Sequence, residues 1–238
     1  MPSRANGFRL LVFDWDGTIM DSIGAIVDCT LAALAEIPGI EPPPRERVRH
    51  AIGMGLAETI ESFFPGGGPE LHRLVIESYR EQWIGVYKER FALFPGAEEA
   101  LRGLAAEGYL LAVATAKSRR GLARDFERTG LEPLFVASRT VDEAPSKPAP
   151  AMLLSLFAEL GVGPREALMV GDTAWDLEMA VNAGCPSIGV LSGAHGEEHL
   201  APHRPLACLP ALVDLPPWLA RPAAFPPVLA AADERERG

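Results

Sequence analysis

The run Phe8-Arg9-Leu10-Leu11-Val12-Phe13 is short, bulky and almost wholly apolar, and it ends at once in Asp14-Trp15-Asp16-Gly17-Thr18. Runs of this length and character form strands buried on both faces, as in parallel sheets covered by helices. Gly17 stops the strand. Two carboxylates therefore stand at the carboxyl end of a core strand, where open α/β sheets collect their ligands. If extended backbone persists two residues further, Asp14 and Asp16 project to one side while Trp15 points to the other and packs. Crowded carboxylates are costly unless a cation lies between them or one keeps a proton. The pair so read is a magnesium-dependent acid/base or nucleophilic site. Asp-x-Asp-Gly is also a plain turn, in which Asp bonds its own backbone and Gly supplies positive φ. A calcium loop is a third reading, and it fails because acidic residues do not follow at loop positions five and twelve.

Three later segments repeat the pattern. Tyr109 to Ala114 is a second buried-strand run, ending in Thr115-Ala116-Lys117-Ser118. Leu134 to Ala137 is a third, followed after a polar stretch by Ser146-Lys147-Pro148. Ala167 to Val170 is a fourth, ending in Gly171-Asp172-Thr173 with Asp176 one helical turn on. A hydroxyl, a lysine and a second acidic pair thus each follow a buried strand or sit in the loop before a helix. In order and spacing these four motifs resemble the haloacid dehalogenase superfamily of phosphohydrolases. The first is Asp14 to Thr18, the second Thr115, the third Lys147 and the fourth Gly171-Asp172-Thr173 to Asp176. The resemblance runs from Leu10 to about Val190.

The rest of the chain is compatible with that family. With 238 residues, 48% of them apolar, there is material for one large domain or a core with a smaller insert. A formal charge of −10 argues against nucleic acid as a partner, since phosphates must be met by basic patches. It also means that any phosphate site has to be locally positive. Cys29, Cys185 and Cys208 show no metal or disulfide spacing and read as small fillers. No segment has signal-peptide or membrane-span character, so no membrane partner and a cytoplasmic location are expected. Oligomeric state is left open.

Alternating strands and helices from Phe94 onward imply a parallel sheet in a Rossmann-like three-layer α/β sandwich. Core helices are expected near Ala97–Glu107, Ser118–Thr129, after Pro148 to Leu160, and Ala174–Gly184, with a final strand from Pro186 to Leu191. From Asp21 to about Phe91 the pattern is helical: Ser22–Ile37, with Asp21 or Ser22 as cap, then Arg45–Phe64 and Pro69–Arg90. Pro42-Pro43-Pro44 and Gly66-Gly67-Gly68 divide these pieces. The insert is similar to the superfamily's helical cap. The division is therefore core 1–20 and 92–220, cap 21–91, and a poorly ordered Pro- and Ala-rich tail from 221 to 238.

The resemblance implies a role for each motif residue. Asp14 is the nucleophile that forms an aspartyl-phosphate. Asp16 is general acid, then general base. The superfamily's dehalogenases lack an acid there, so Asp16 favours phosphoryl transfer. Thr115 and Lys147 bind the phosphoryl oxygens, with Lys117 a rival for the second role. Mg²⁺ is held by Asp14, Asp172 and the backbone carbonyl of Asp16. Asp176 shares a helix face with Asp172 and also forms a capping box with Thr173. Gly17, Thr18 and Gly171 support the site. The five histidines fit no metal spacing and are expected at the surface.

Within the family, Ile52-Gly53-Met54-Gly55-Leu56 and the stretch from Thr140 to Pro150 look like phosphoglycolate phosphatase-type members. The partner implied is a small phosphorylated metabolite, with phosphoglycolate favoured, in a cavity of modest volume. A mutase of β-phosphoglucomutase type, a nucleotidase and a pyrophosphatase have the same motifs. Ala116 departs from the family, where Asn or Ser is frequent. Arg47, Arg49 and His50 read either as a solvated helix face or as binders of a substrate carboxylate.

Overall fold

The structure is a computed structural model and describes residues 6–221. Residues 222–238, most of the expected tail, lie outside the described residues. The core is a six-stranded parallel sheet in the order β5-β4-β1-β6-β7-β8. Its strands are β1 (Leu10–Phe13), β4 (Leu110–Ala114), β5 (Phe135–Arg139), β6 (Ala167–Gly171), β7 (Ser187–Val190) and β8 (Ala207–Leu209). Two further strands, β2 (Met20–Asp21) and β3 (Ala92–Leu93), pair antiparallel as a short ribbon.

All of β1 is buried, and alternation along it serves two cores. Leu11 and Phe13 pack with Leu101, Leu104 and Phe126 of α5 (Ala97–Ala106) and α6 (Arg119–Thr129), and with Trp218 of α10 (Leu215–Leu219). Leu10 and Val12 pack on the opposite face with Met152, Leu156 and Met179 of α7 (Ala151–Leu160) and α8 (Ala174–Asn182). The result is the expected three-layer sandwich.

Between β2 and β3 the chain forms the helical cap: α1 (Ile23–Ala35), α2 (Arg45–His50), α3 (Leu56–Phe63) and α4 (Gly68–Gln82), which runs into a π-helical turn at Trp83–Tyr87. Its own apolar cluster contains Ile23, Val27, Leu34, Val48, Ile60 and Val75. The single helix expected over Arg45–Phe64 is broken in two. Gly53 takes φ +100°, and the loop Ala51–Gly55 turns toward the core. A Cβ on Gly53 would lie 2.7 Å from Thr173 Oγ1, so the approach needs a glycine. A short helix α9 (Glu197–Leu200) follows β7. Among the described residues no helix is long and apolar enough to cross a membrane.

Candidate active site

Strand register gathers the motif residues. The rungs Phe13↔Val113 and Phe13↔Val170 set β1 between β4 and β6, so Asp14, Thr115 and Asp172 emerge side by side at the carboxyl edge. This is where the strand order reverses direction, the usual ligand crevice of an open parallel sheet. All three side chains are buried.

Lys147 reaches the same point from the loop before α7. Its Nζ lies 2.8 Å from Asp14 Oδ1 and 2.6 Å from Asp176 Oδ1, with the side chain wholly buried. Lys147 is thus ion-paired with two buried carboxylates at once. The helix after Lys147 starts at Ala151, so Pro148 lies ahead of it rather than in its first turn.

Asp172 is gripped from two sides. Thr18 Oγ1 donates to its Oδ1 at 2.8 Å, and the Ala194 amide donates to its Oδ2 at 2.7 Å. Gly17 and Gly193 close in on it, for a Cβ would stand 2.2 Å and 2.0 Å from Asp172 Oδ2 respectively. Asp176 forms the expected capping box: the Thr173 amide and hydroxyl both donate to its Oδ2, at 3.0 and 2.7 Å.

Three buried carboxylates, Asp14, Asp172 and Asp176, lie with ligand atoms within 4.8 Å of one another. Burial pushes Asp14 up, Lys147 opposes the rise and Asp176 adds to it, leaving the group raised. Burial and the charges of Asp14 and Asp176 push Asp172 up as well, against the hydrogen bonds from Ala194 and Thr18. Burial pulls Lys147 down, but Asp14 and Asp176 outweigh it and the ammonium is held. One ammonium does not balance three carboxylates. The oxygen-only donor set fits a hard divalent cation such as Mg²⁺. Each of the three carboxylates is already engaged, Asp176 by Thr173 and Lys147, Asp172 by Thr18 and Ala194, and Asp14 by Lys147, so all three stand as candidate ligands. The carboxylate of Asp16 does not join this group.

Asp16 is held elsewhere. Lys117 Nζ donates to both its oxygens, at 2.8 and 2.7 Å, and Ser22 Oγ donates to Oδ1 at 2.7 Å. Ser22 precedes α1 but makes no side-chain cap bond, because its hydroxyl is turned to Asp16. Lys117 is in turn 3.2 Å from Asp125, which accepts from the Trp15 indole at 3.0 Å. Trp83 of the cap and Phe91 flank its ammonium at 5.6 and 5.9 Å. Burial lowers Lys117, and Asp16 and Asp125 raise it further than that. Lys117 is therefore the partner of Asp16 and not a substitute for Lys147. Trp15 packs, as its side of the strand requires.

The surface expectation for the histidines fails at His195, which is buried. Its Nδ1 accepts from the Ala174 amide at the start of α8, and its Nε2 meets the His50 carbonyl at 3.0 Å. An accepting Nδ1 leaves the proton on Nε2, and burial pushes the imidazole down to about 4. His50 stacks on it at 4.5 Å, with His199 4.8 Å from His50. Arg49 donates to the carbonyls of Ala194 and Gly193 at 2.9 and 2.5 Å, and Ser146 Oγ accepts from the Gly55 amide at 2.7 Å. The cap loop is thus moored on the core, and Arg49 is spent on backbone rather than free for a substrate carboxylate.

Beneath the cap lies a cavity of about 1000 Å³ with Asp14, Asp16, Thr115 and Lys117 among its lining residues. It is not the modest volume expected. Its cap wall is apolar, with Ile26, Ile52, Met54, Ile76, Trp83 and Ile84.

The chain thus combines a parallel sheet, a helical cap and a buried carboxylate–lysine cluster at the sheet's switch point. A family model described as haloacid dehalogenase-like hydrolase matches residues 11–190, and the chain belongs to that family. A phosphoglycolate phosphatase of Pseudomonas putida is 29% identical over 223 residues, covering 90% of this chain and 81% of that protein. A pyrophosphatase of Listeria innocua is 30% identical over 206 residues, covering 86% and 93%. The crystal structure of a hydrolase from Pseudomonas syringae superposes with TM-score 0.80 at 25% identity, over 88% of this chain and 96% of that one. The chain's homologues in this haloacid dehalogenase-like hydrolase family are named as phosphatases, phosphoglycolate phosphatases among them.

Proposed function

We infer that the protein is a Mg²⁺-dependent hydrolase of small phosphate monoesters that works through an aspartyl-phosphate on Asp14. The observation that carries this reading is the buried pairing of Asp14, which lines the cavity, with Lys147, beside Asp172 and Asp176. A carboxylate oxygen of Asp14 attacks phosphorus, and the bond from phosphorus to the ester oxygen breaks. Asp16, protonated once it is released from the Lys117 ammonium that holds it as a carboxylate, gives the leaving alkoxide its proton. Asp16 then takes a proton from water, whose oxygen attacks the acyl phosphate, releases phosphate and restores Asp14. Lys147 and Thr115 hold the non-bridging oxygens, where charge accumulates in the transition state. Mg²⁺ on Asp14 and Asp172, with the Asp16 carbonyl, would supply charge neutralisation between the carboxylate and a dianionic ester.

Phosphoglycolate is the first substrate to try, supported by relatives named for it and not by Arg49, which is engaged with the core. A cytoplasmic setting agrees with three free cysteines. The test is phosphate release from a panel of phosphoglycolate, phenyl phosphate, nucleoside monophosphates and pyrophosphate, with Mg²⁺ and without bisphosphate activator. Release from monoesters that stops in chelator supports the reading. Turnover only with a sugar bisphosphate present would assign a mutase, and no release from any ester would refute it.

A further inference from the structure

Three arginines line the cavity without an ion-pair or hydrogen-bond partner for their side chains among the described residues: Arg80 on the cap helix α4, and Arg120 and Arg124 on the core helix α6. Arg90, Arg165, Arg204 and Arg221 also lack a side-chain ion pair or hydrogen bond among the described residues, but they do not line the cavity, and the other nine described arginines have one. Arg9, Arg45, Arg73, Arg102, Arg119 and Arg139 each meet a carboxylate. The acidic residues that share the cavity lining do not answer the three. Glu143 is bound by Arg119, Asp142 accepts the Arg119 amide, and Glu58 lies against Gly55.

The placement works against folding. Arg120 and Arg124 are four apart and so share a face of α6, where like charges repel. Arg120 also sits in the first turn of that helix, which has no acidic residue, at the end whose dipole disfavours cations. Asp142 caps the Arg119 amide at that helix start and Glu143 pairs with Arg119, while Arg120 and Arg124 have no carboxylate partner among the described residues. The scissile phosphate does not need this set, because it is served by Thr115 and Lys147. The same cavity is lined by the apolar cap residues Ile52, Met54, Ile76, Trp83 and Ile84. A two-carbon ester such as phosphoglycolate fills little of about 1000 Å³.

We propose that Arg80, Arg120 and Arg124 form a second anion site, and that the preferred substrates are phosphate monoesters whose leaving group carries a carboxylate or phosphate beyond an apolar or aromatic middle. The proposal rests on the phosphatase reading and specifies its substrate class. Guanidinium groups suit such a terminus because they bind planar carboxylates in a forked geometry.

The experiment compares phenyl phosphate with 4-(2-carboxyethyl)phenyl phosphate, esters of similar leaving group that differ in the distal charge. The ratio of their kcat/KM values is measured with Mg²⁺ for the wild type, Arg120→Ala/Arg124→Ala and Arg80→Ala. The wild type should favour the carboxylated ester by about tenfold or more, mainly through KM, the effect of one charge-assisted hydrogen bond. It should also prefer that ester to phosphoglycolate. The double variant should bring the ratio near unity. Hydrolysis of both esters without preference, or a preference that survives both variants, overturns the second site and leaves the phosphatase reading standing. If neither ester is hydrolysed, the intact carboxylated ester is titrated calorimetrically. Binding lost in the double variant then supports the site while refuting the phosphatase reading, and binding that is absent or unaltered overturns the site.

Discussion

Replacing Lys147 by methionine keeps the length of the side chain and removes its charge from the interior. Nζ stands 2.8 Å from Asp14 Oδ1 and 2.6 Å from Asp176 Oδ1, and the side chain is wholly buried. Breaking a buried pair from one side costs roughly 3–5 kcal/mol, because the carboxylates stay behind. At ~2–4 °C per kcal/mol for a chain of this size, Tm should fall by roughly 6–20 °C. Turnover should fall by ~10²–10³, the loss seen when one transition-state donor is removed. The two effects have different sources and can be separated. Adding Asp176→Asn removes one stranded charge, so the double variant should regain a large part of the lost Tm while kcat stays low. Thermal unfolding by circular dichroism and phosphate release at saturating phenyl phosphate are the readouts. A Lys147→Met protein that melts within about a degree of wild type would refute the electrostatic account. Activity that returns together with Tm in the double variant would show that the lysine only props the fold.

Asp14→Asn should abolish turnover yet leave Tm unchanged or higher, since it thins a cluster of three carboxylates around one ammonium; a folded Asn variant with substantial activity would refute the nucleophile. Mg²⁺ should raise Tm, and EDTA should stop activity. The Mg²⁺ gain in Tm depends on pH. Asp14 is raised from 3.8 to about 7 in the folded state. The folded protein therefore holds its proton longer than the unfolded chain, and stability drops as pH climbs through that window. The cation replaces the proton, so its stabilising effect should be larger at about pH 8 than at about pH 5, and a gain independent of pH would count against Asp14 as ligand. Gly17→Ala should cost more stability than Gly39→Ala and also activity. Both glycines have φ near +80°, worth about 1–2 kcal/mol of strain. At Gly17 alone the new Cβ would meet Asp172, at 2.2 Å, while Gly39 has open space around it. Equal effects of the two would mean that the close approach to Asp172 carries no weight.

β1, β4 and β6 were readable because each is a buried apolar run that a motif residue follows, whereas Leu134 to Ala137, also expected as a buried strand, meets the edge strand β5, none of whose residues is buried. β8, with Ala207, Cys208 and Leu209, is too short and too partly exposed to announce itself. The division of α2 from α3 depends on Gly53, whose positive φ is demanded by Thr173, far away in sequence. Ser22 looked like a helix cap because serine before an apolar helical face usually is one, and only the fold brings Asp16 within reach of its hydroxyl. Lys117 was visible as a charge near Thr115 but not as the partner of Asp16, since Asp125 and Trp83, which seat it, come from two other helical segments. His195 carries no local sign of burial. Its place is set by α8 on one side and the cap loop on the other. Arg49, a plausible carboxylate binder in the sequence, is claimed by two backbone carbonyls that no spacing rule reveals.

The ribbon of β2 and β3 pairs only Met20 with Leu93 and Asp21 with Ala92. The chain thus departs from the sheet layer and returns to it one strand spacing away, about 4.8 Å. Everything between Asp21 and Ala92 is an excursion that begins and ends at the same place. Asp14, Lys147 and Asp172 are all encoded outside it, whereas the apolar wall and Arg80 are encoded within it. An inserted stretch with coincident ends can be lengthened, shortened or exchanged without altering the path of any sheet strand. The apolar wall and Arg80 can therefore change without moving the strands that carry Asp14 and Asp172, while Arg120 and Arg124 remain tied to the core.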